Sequence, residues 1–291
     1  MSGAPLSVTH TQGVAGVART RDGRELFYME LAGPAGHSAP TVVLEAGMAA
    51  SRSYWALVQM QVAKHARVVV YDRSGLGRSP ADTAPRSLAR MSADLNDLLD
   101  HLGGDRFVLV GHSGGGPIVR AAAEERPERI AGLVLVDATD EACDLLFRPS
   151  FRRFEKIVQW ASLQLARLGL LQSLYRKHLG VLPADAEADF RKEGFTVAAM
   201  HTRGAELTGL VAAMNAWRAQ PPTLPDVPVT VISGALSDGG MSARIRAAAN
   251  ASHATRAAQS PRGRHVIAQN SGHFIPLTEP DVVAAEIVRL L

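Results

Sequence analysis

Among the side chains able to do chemistry, Ser113 has the most informative neighbours. It lies in Gly111-His112-Ser113-Gly114-Gly115, after the apolar run Phe107 to Val110 and before a helix-forming stretch that begins near Pro117. Gly-x-Ser-x-Gly between a buried strand and a helix is the pattern of a sharp strand-to-helix turn that exposes a serine hydroxyl. Such a turn is crowded, and glycines at 111 and 115 let neighbouring backbones approach. The helix behind it aims free N–H groups and the positive end of its dipole at the serine. The competing reading is a glycine-rich loop with an ordinary surface serine, and the flanking strand and helix argue against it. A serine attacks a carbonyl only with a base, an acid that orients the base, and donors for the oxyanion. Of ten histidines, only His273 stands in a loop between a terminal strand, His265 to Ala268, and a closing helix. A loop after a parallel strand lies at the sheet edge that also carries Ser113. A lone loop histidine is more often simply solvated, but beside the serine turn His273 is the expected base.

The elements that must position these residues follow from hydrophobic patterning. Val14 to Ala18 and Glu25 to Glu30 read as a hairpin around Asp22-Gly23. Thr41 to Glu45, Arg67 to Asp72, the run before Gly111, and Ile130 to Asp137 are continuous apolar strands, as in a parallel sheet covered on both faces. Helices at Trp55 to Ala63, Ser87 to Leu102 and Pro117 to about Glu125 alternate with them. That rhythm predicts a doubly wound, mostly parallel α/β sheet. It breaks from 139 to 222, where the pattern is helical throughout. Phe151, Phe154, Val158, Ala161, Leu165 and Leu168 recur at steps of three and four as one face. Ala186 to Ala219 is expected to continue helically, with Met200, Leu207, Leu210, Val211 and Met214 inward. Alternation then resumes at Val229 to Ile232, with a helix from about Ser242 and another over Asp281 to Leu291. A catalytic domain of residues 1–138 and 223–291 is thus expected, interrupted by a helical cap at 139–222.

Bulk properties narrow the function. The chain has 291 residues, 46% hydrophobic and 20% charged, with a formal net charge of +3. That is ordinary for a globular protein with a sizeable core, and too weak a charge to argue for nucleic acid binding. A single cysteine, Cys143, excludes a disulfide framework; beside Asp140, Glu141 and Asp144 its thiol is expected to pack rather than react. No signal peptide and no membrane-spanning run is visible, so a cytoplasmic location is expected. Arg73-Ser74-Gly75-Leu76-Gly77 lacks the third glycine and helix start of a dinucleotide loop, and no histidine pair has metal spacing. No cofactor and no metal is expected.

Taken together, Leu44-Glu45-Ala46-Gly47-Met48, Tyr71-Asp72-Arg73-Ser74-Gly75-Leu76-Gly77-Arg78-Ser79, Gly111 to Gly115 and Ser271-Gly272-His273-Phe274 resemble the α/β-hydrolase fold family, in its serine esterase and lipase-like branch. The resemblance covers nearly the whole length. It implies the order serine, acid, histidine, and an oxyanion hole from the backbone N–H groups of Met48 and Gly114. Ala46-Gly47 stands where many relatives have His-Gly; main-chain donors leave the hole intact, without that side chain. Relatives place the acid after either of two strands, which here gives Asp137 or Asp238. Asp238 is one step out of the usual register, so Asp137 is preferred and Asp238 is the alternative. Asp140 reads as a surface or capping residue, His112 as a packing residue and His265 as a structural hydrogen-bonding one. Serine at 113 argues against the aspartate-nucleophile chemistry of haloalkane dehalogenases and epoxide hydrolases.

The expected reaction is hydrolysis of a carboxylic ester with an apolar part of small to medium size, through an acyl-enzyme. Amide, lactone or carbon–carbon bond hydrolysis, peracid formation, and a slow small-molecule receptor are the alternatives. Seven basic residues between 145 and 180 (Arg148, Arg152, Arg153, Lys156, Arg167, Arg176 and Lys177) oppose only Glu155 near them. A solvated polar face is the preferred reading of that bias, and attraction to anionic membrane surfaces or carboxylate-bearing substrates the other.

Overall fold

The computed structural model describes residues 10–36, 38–238 and 240–291. Eight strands form one sheet: β1 (Val14–Arg19), β2 (Glu25–Leu31), β3 (Thr41–Glu45), β4 (Val68–Tyr71), β5 (Phe107–His112), β6 (Ile130–Val136), β7 (Val229–Gly234) and β8 (Gly263–Ala268). Their order is β1-β2-β4-β3-β5-β6-β7-β8, with β2 antiparallel to both neighbours and β3 to β8 mutually parallel. Strands β4 to β7 are buried at every position and mostly apolar because both faces are covered. Val43, Leu109, Leu133 and Val231 pack on one side, and Val42, Val110, Val134 and Ile232 on the other. This is an α/β-hydrolase-type sheet.

The helices are α1 (Ala56–Val62), α2 (Leu88–Leu102), α3 (Gly115–Glu125), α4 (Pro149–Arg167), α5 (Leu171–Leu174), α6 (Arg176–Leu179), α7 (Ala184–Glu193), α8 (Val197–Ala219), α9 (Ala243–Ala258), α10 (Ile275–Thr278) and α11 (Pro280–Val288). Ser87 and Ser242 cap α2 and α9, accepting from Arg90 N and Ile245 N. Three local expectations change. The helix after Ser113 begins at Gly115 rather than Pro117, because Gly114 already has helical angles. Helix over 186–219 is interrupted after Glu193, where Gly194 ends α7 and the Thr196 hydroxyl accepts from Ala199 N at 3.0 Å to start α8. Along α4, Phe154 and Leu168 face outward with Ile157 and Trp160, all at least half exposed, while Phe151 and Val158 line cavities beneath. A run of period three to four does not by itself say which side of a two-sided apolar helix meets the protein.

Helices α4 to α8 all lie between β6 and β7 in the chain and are tied to the sheet by buried ion pairs. Arg52, after β3, meets Asp72 at 2.6 Å and Glu193 of α7 at 2.7 Å, and also Asp189. Arg73, after β4, meets Glu206 of α8 at 2.7 Å. Thr202 donates to the Gly75 carbonyl at 3.0 Å. Among the described residues no helix is long and apolar enough to cross a membrane.

Candidate active site

Ser113 follows β5, which lies between β3 and β6 in the middle of the sheet. Its φ is 53°, in the left-handed region that a non-glycine residue rarely adopts. The surroundings impose that angle. Ser113 N donates to Val136 O at 3.1 Å, and its carbonyl accepts from Thr139 N at 2.9 Å and Gly116 N at 3.1 Å. A Cβ at Gly111 would stand 2.6 Å from the Gly115 carbonyl, and one at Gly115 2.7 Å from those of Glu45 and Ala46. Both positions therefore require glycine, and the turn brings β5 against the loop after β3.

His273 lies in the loop between β8 and α10. The Ser113 hydroxyl donates to its Nε2 across 3.1 Å, and its Nδ1–H donates to Asp137 Oδ2 across 2.6 Å. Asp137 follows β6 and also has positive φ, 40°. Its other oxygen accepts from Arg246 of α9, and Gly234 N lies 3.4 Å from that same atom. Burial pushes the Asp137 carboxyl up, but His273, the His253 ring and Arg246 outweigh it and hold it below the usual carboxylate range. Asp238, after β7, does not reach the imidazole: its Oδ1 accepts from the backbone N–H of His273 at 2.6 Å. Asp140 is buried, bound by Arg256 at 2.9 Å and accepting from Ala142 N.

Met48 and Gly114 face each other across the serine turn: a Cβ on Gly114 would lie 2.8 Å from Met48 Cγ and 3.6 Å from Met48 N. Neither backbone N–H has an acceptor among the described residues. The loop carrying Met48 is a tight turn in which Ala50 N donates to Gly47 O at 3.2 Å, with Ala49 at φ 62°. Arg73 braces it from below, donating to Ala46 O at 2.7 Å and Gly47 O at 2.9 Å while paired with Glu45 and Glu206. Arg73 belongs to the motif after β4, yet nothing in its spacing announces this clamp. Arg246 carries no sequence signal at all.

His112 packs beneath the site. Its Nε2–H donates to the His273 carbonyl at 2.8 Å, and its ring stacks on Tyr54 at 4.9 Å. Burial first, then the neighbouring His273, holds this imidazole down at about 3, so it is neutral. His265 lies in a second buried network, donating to Ser233 Oγ at 2.8 Å, with Ser233 donating to His253 Nδ1 at 2.7 Å and His253 to the Ala138 carbonyl. Cys143 is buried, and burial and nearby carboxylates raise its thiol.

Two cavities meet at Ser113 and His273. One, of about 220 Å³, is largely aliphatic, with Leu207, Leu210, Val211, Met214 and Ile245; the other, of about 270 Å³, is aromatic, with Tyr54, Tyr175, Phe190, Phe195 and Phe274. Met48 and Arg203 line both. A serine donating to an imidazole that itself donates to an ionised carboxylate is an arrangement suited to attack on a carbonyl carbon.

A family model described as alpha/beta hydrolase fold matches residues 40–280. A Caulobacter sp. (strain K31) protein named "Putative carbamate hydrolase RutD" is 38% identical over 112 residues, which is 38% of this chain and 42% of that protein. The chain thus spans about two fifths of the length of the curated relatives it matches. Among solved structures, a hydrolase from Pseudomonas aeruginosa PA01 superposes with a TM-score of 0.67 at 25% identity, covering 96% of this chain and 98% of that one. The epoxide hydrolase CorEH does so with a TM-score of 0.69 at 20% identity, covering 95% and 98%, a likeness of fold.

Proposed function

The chain belongs to the alpha/beta hydrolase fold family, and from that premise we propose that it is a cofactor-independent serine hydrolase of carboxylic esters. The observation that carries the reading is the line Ser113 Oγ, His273 Nε2, His273 Nδ1, Asp137 Oδ2, with separations of 3.1 and 2.6 Å at its two bonds. Ser113 attacks the ester carbonyl as His273 takes its proton, and Asp137 keeps the ring in the tautomer that can accept. The N–H groups of Met48 and Gly114 receive the developing oxyanion; loss of one such donor lowers turnover by on the order of 10²–10³. His273 then protonates the leaving alcohol, and water, deprotonated by the same ring, releases the acyl group. The two cavities would take the acyl and alcohol parts, and their walls suit apolar groups of small to medium size.

A fluorophosphonate should label Ser113 in the wild-type protein and leave Ser113→Ala unlabelled. Nitrophenyl esters of increasing chain length should be turned over with an optimum. No labelling of wild type, or tight ester binding with negligible turnover, overturns the reading in favour of a receptor. The curated relatives' name motivates a second arm, a nitrophenyl carbamate series. A carbamate presents the same carbonyl to Ser113, and faster release from carbamates than from matched esters would move the substrate class.

A further inference from the structure

We infer that Arg203 selects substrates carrying one free carboxylate near the scissile ester, an inference that rests on the ester-hydrolase reading above. Arg203 sits on α8, one turn before Leu207, and lines both cavities where they meet at Met48, Ser113 and His273. Its recorded side-chain hydrogen bond goes to the amide oxygen of Gln159, whose nitrogen donates to Met200 O at 2.7 Å. That second bond fixes the amide so that its oxygen meets the guanidinium. Gln159 thereby orients Arg203 without neutralising it, and Arg203 pairs with no carboxylate among the described residues.

The other charged side chains at the cavities are matched. Arg152 pairs with Glu155, and Asp137 with His273 and Arg246. His178, which lines the aromatic arm, has its ring pushed by burial towards the neutral form. The buried arginines elsewhere are matched as well: Arg52, Arg73, Arg120 and Arg256 all face carboxylates. Arg203 is thus a half-buried cation against aliphatic walls with most of its five N–H donors unused. A partly desolvated guanidinium gains most from a carboxylate, which accepts two parallel N–H bonds. One surplus positive charge matches a monoanion rather than a dianionic phosphate group. Because Arg203 borders both arms, the carboxylate can belong to the acyl part, as in a monoester of a dicarboxylic acid, or to the alcohol part, as in an acylated hydroxy acid.

Two substrate pairs separate these sources: 4-nitrophenyl hemiglutarate against 4-nitrophenyl valerate, and 3-acetoxybenzoate against its methyl ester. In the wild type, kcat/KM should favour the charged member of one pair. In Arg203→Gln that charged-to-neutral ratio should fall about tenfold or more, mainly through KM, and Arg203→Lys should recover part of it. Binding is read separately in Ser113→Ala by calorimetry with monomethyl glutarate and with 3-acetoxybenzoate; the one matching the favoured pair should saturate, and that binding should be lost when Arg203→Gln is added. A ratio unchanged by Arg203→Gln and Arg203→Lys in both pairs, or binding of neither monomethyl glutarate nor 3-acetoxybenzoate to Ser113→Ala, overturns the inference. Failure of the hydrolase reading shows up differently, as absent labelling of Ser113 with the calorimetric binding intact.

Discussion

At the residue scale, Asp137 and Asp238 both sit against His273, but at different atoms. Asp137 accepts from the ring nitrogen at 2.6 Å and Asp238 from the backbone nitrogen at 2.6 Å. Asp137→Asn should therefore lower kcat by about 10⁴, the loss known when the orienting acid of a serine triad becomes an amide. Asp238→Asn keeps an acceptor for the backbone N–H and should lower kcat by no more than about tenfold, since it leaves that ring tautomer in place. Equal losses in the two variants, measured with one nitrophenyl ester, would remove the distinction. His112 yields a pH prediction. Its imidazole lies at about 3 in the fold against 6.5 in the open chain, so below pH 6.5 the unfolded state binds the extra proton. This group's contribution is complete above pH 6.5 and declines by about 1.4 kcal/mol per pH unit on going down towards 3. Urea unfolding at pH 6 and pH 4 should show a shallower loss in His112→Gln than in wild type, and parallel curves would contradict it.

At the scale of elements, the loop after β3 depends on the loop after β4. Ala49 holds a left-handed angle and the carbonyls of Ala46 and Gly47 point at one guanidinium, that of Arg73. Strain of this kind persists only where the surroundings over-determine it. Lysine keeps the charge of Arg73 but not its planar fork, so it cannot hold two carbonyls and two carboxylates together. Arg73→Lys should fold, yet react with a fluorophosphonate about 10²-fold more slowly, the effect expected of a displacement near 1 Å at the reacting centre. An unchanged labelling rate would mean that the turn holds Met48 without help. The sequence shows why Arg73 is hard to find: its four partners lie at 45, 46, 47 and 206, and no local pattern links them.

At the scale of the molecule, the helices between β6 and β7 are held over the serine by buried charge as well as by apolar packing. Arg52 is fully buried and joins Asp72 beneath it to Asp189 and Glu193 of α7. Arg52→Met would leave the buried Asp72 carboxylate without its cation, while Asp189 and Glu193 keep Arg78, and should reduce unfolding free energy by about 3–5 kcal/mol. Burial already pushes the Asp72 carboxyl up, against the pull of Arg52. Without Arg52 the deficit should therefore shrink as pH falls and Asp72 takes a proton. Paired urea titrations at pH 7 and pH 5 check both the size and the direction; a loss under about 1 kcal/mol, the range of an exposed pair, would show that the latch carries little.

Local physics made much of this protein legible from its residues alone. Continuous apolar runs separated by helical periods specify a parallel sheet covered on both faces, and the glycines around Ser113 mark a turn that no larger residue fits. That His273 would lie beside Ser113 was legible for a similar reason: it is the histidine in the loop that follows the last strand. Which carboxylate meets the imidazole was legible only as a preference for Asp137 on register, because Asp137 and Asp238 follow adjacent strands and the bend of each loop is decided in the fold. Nor could spacing tell which face of α4 would remain outside, or that Arg246, Arg73 and Arg203 would gather at one sheet edge. Those choices depend on pairings across 100 residues or more of chain in several cases, such as Asp137 with Arg246 and Arg73 with Glu206. Hydrophobic periodicity acts between near neighbours, whereas buried charges find their partners only once the sheet has brought distant loops together.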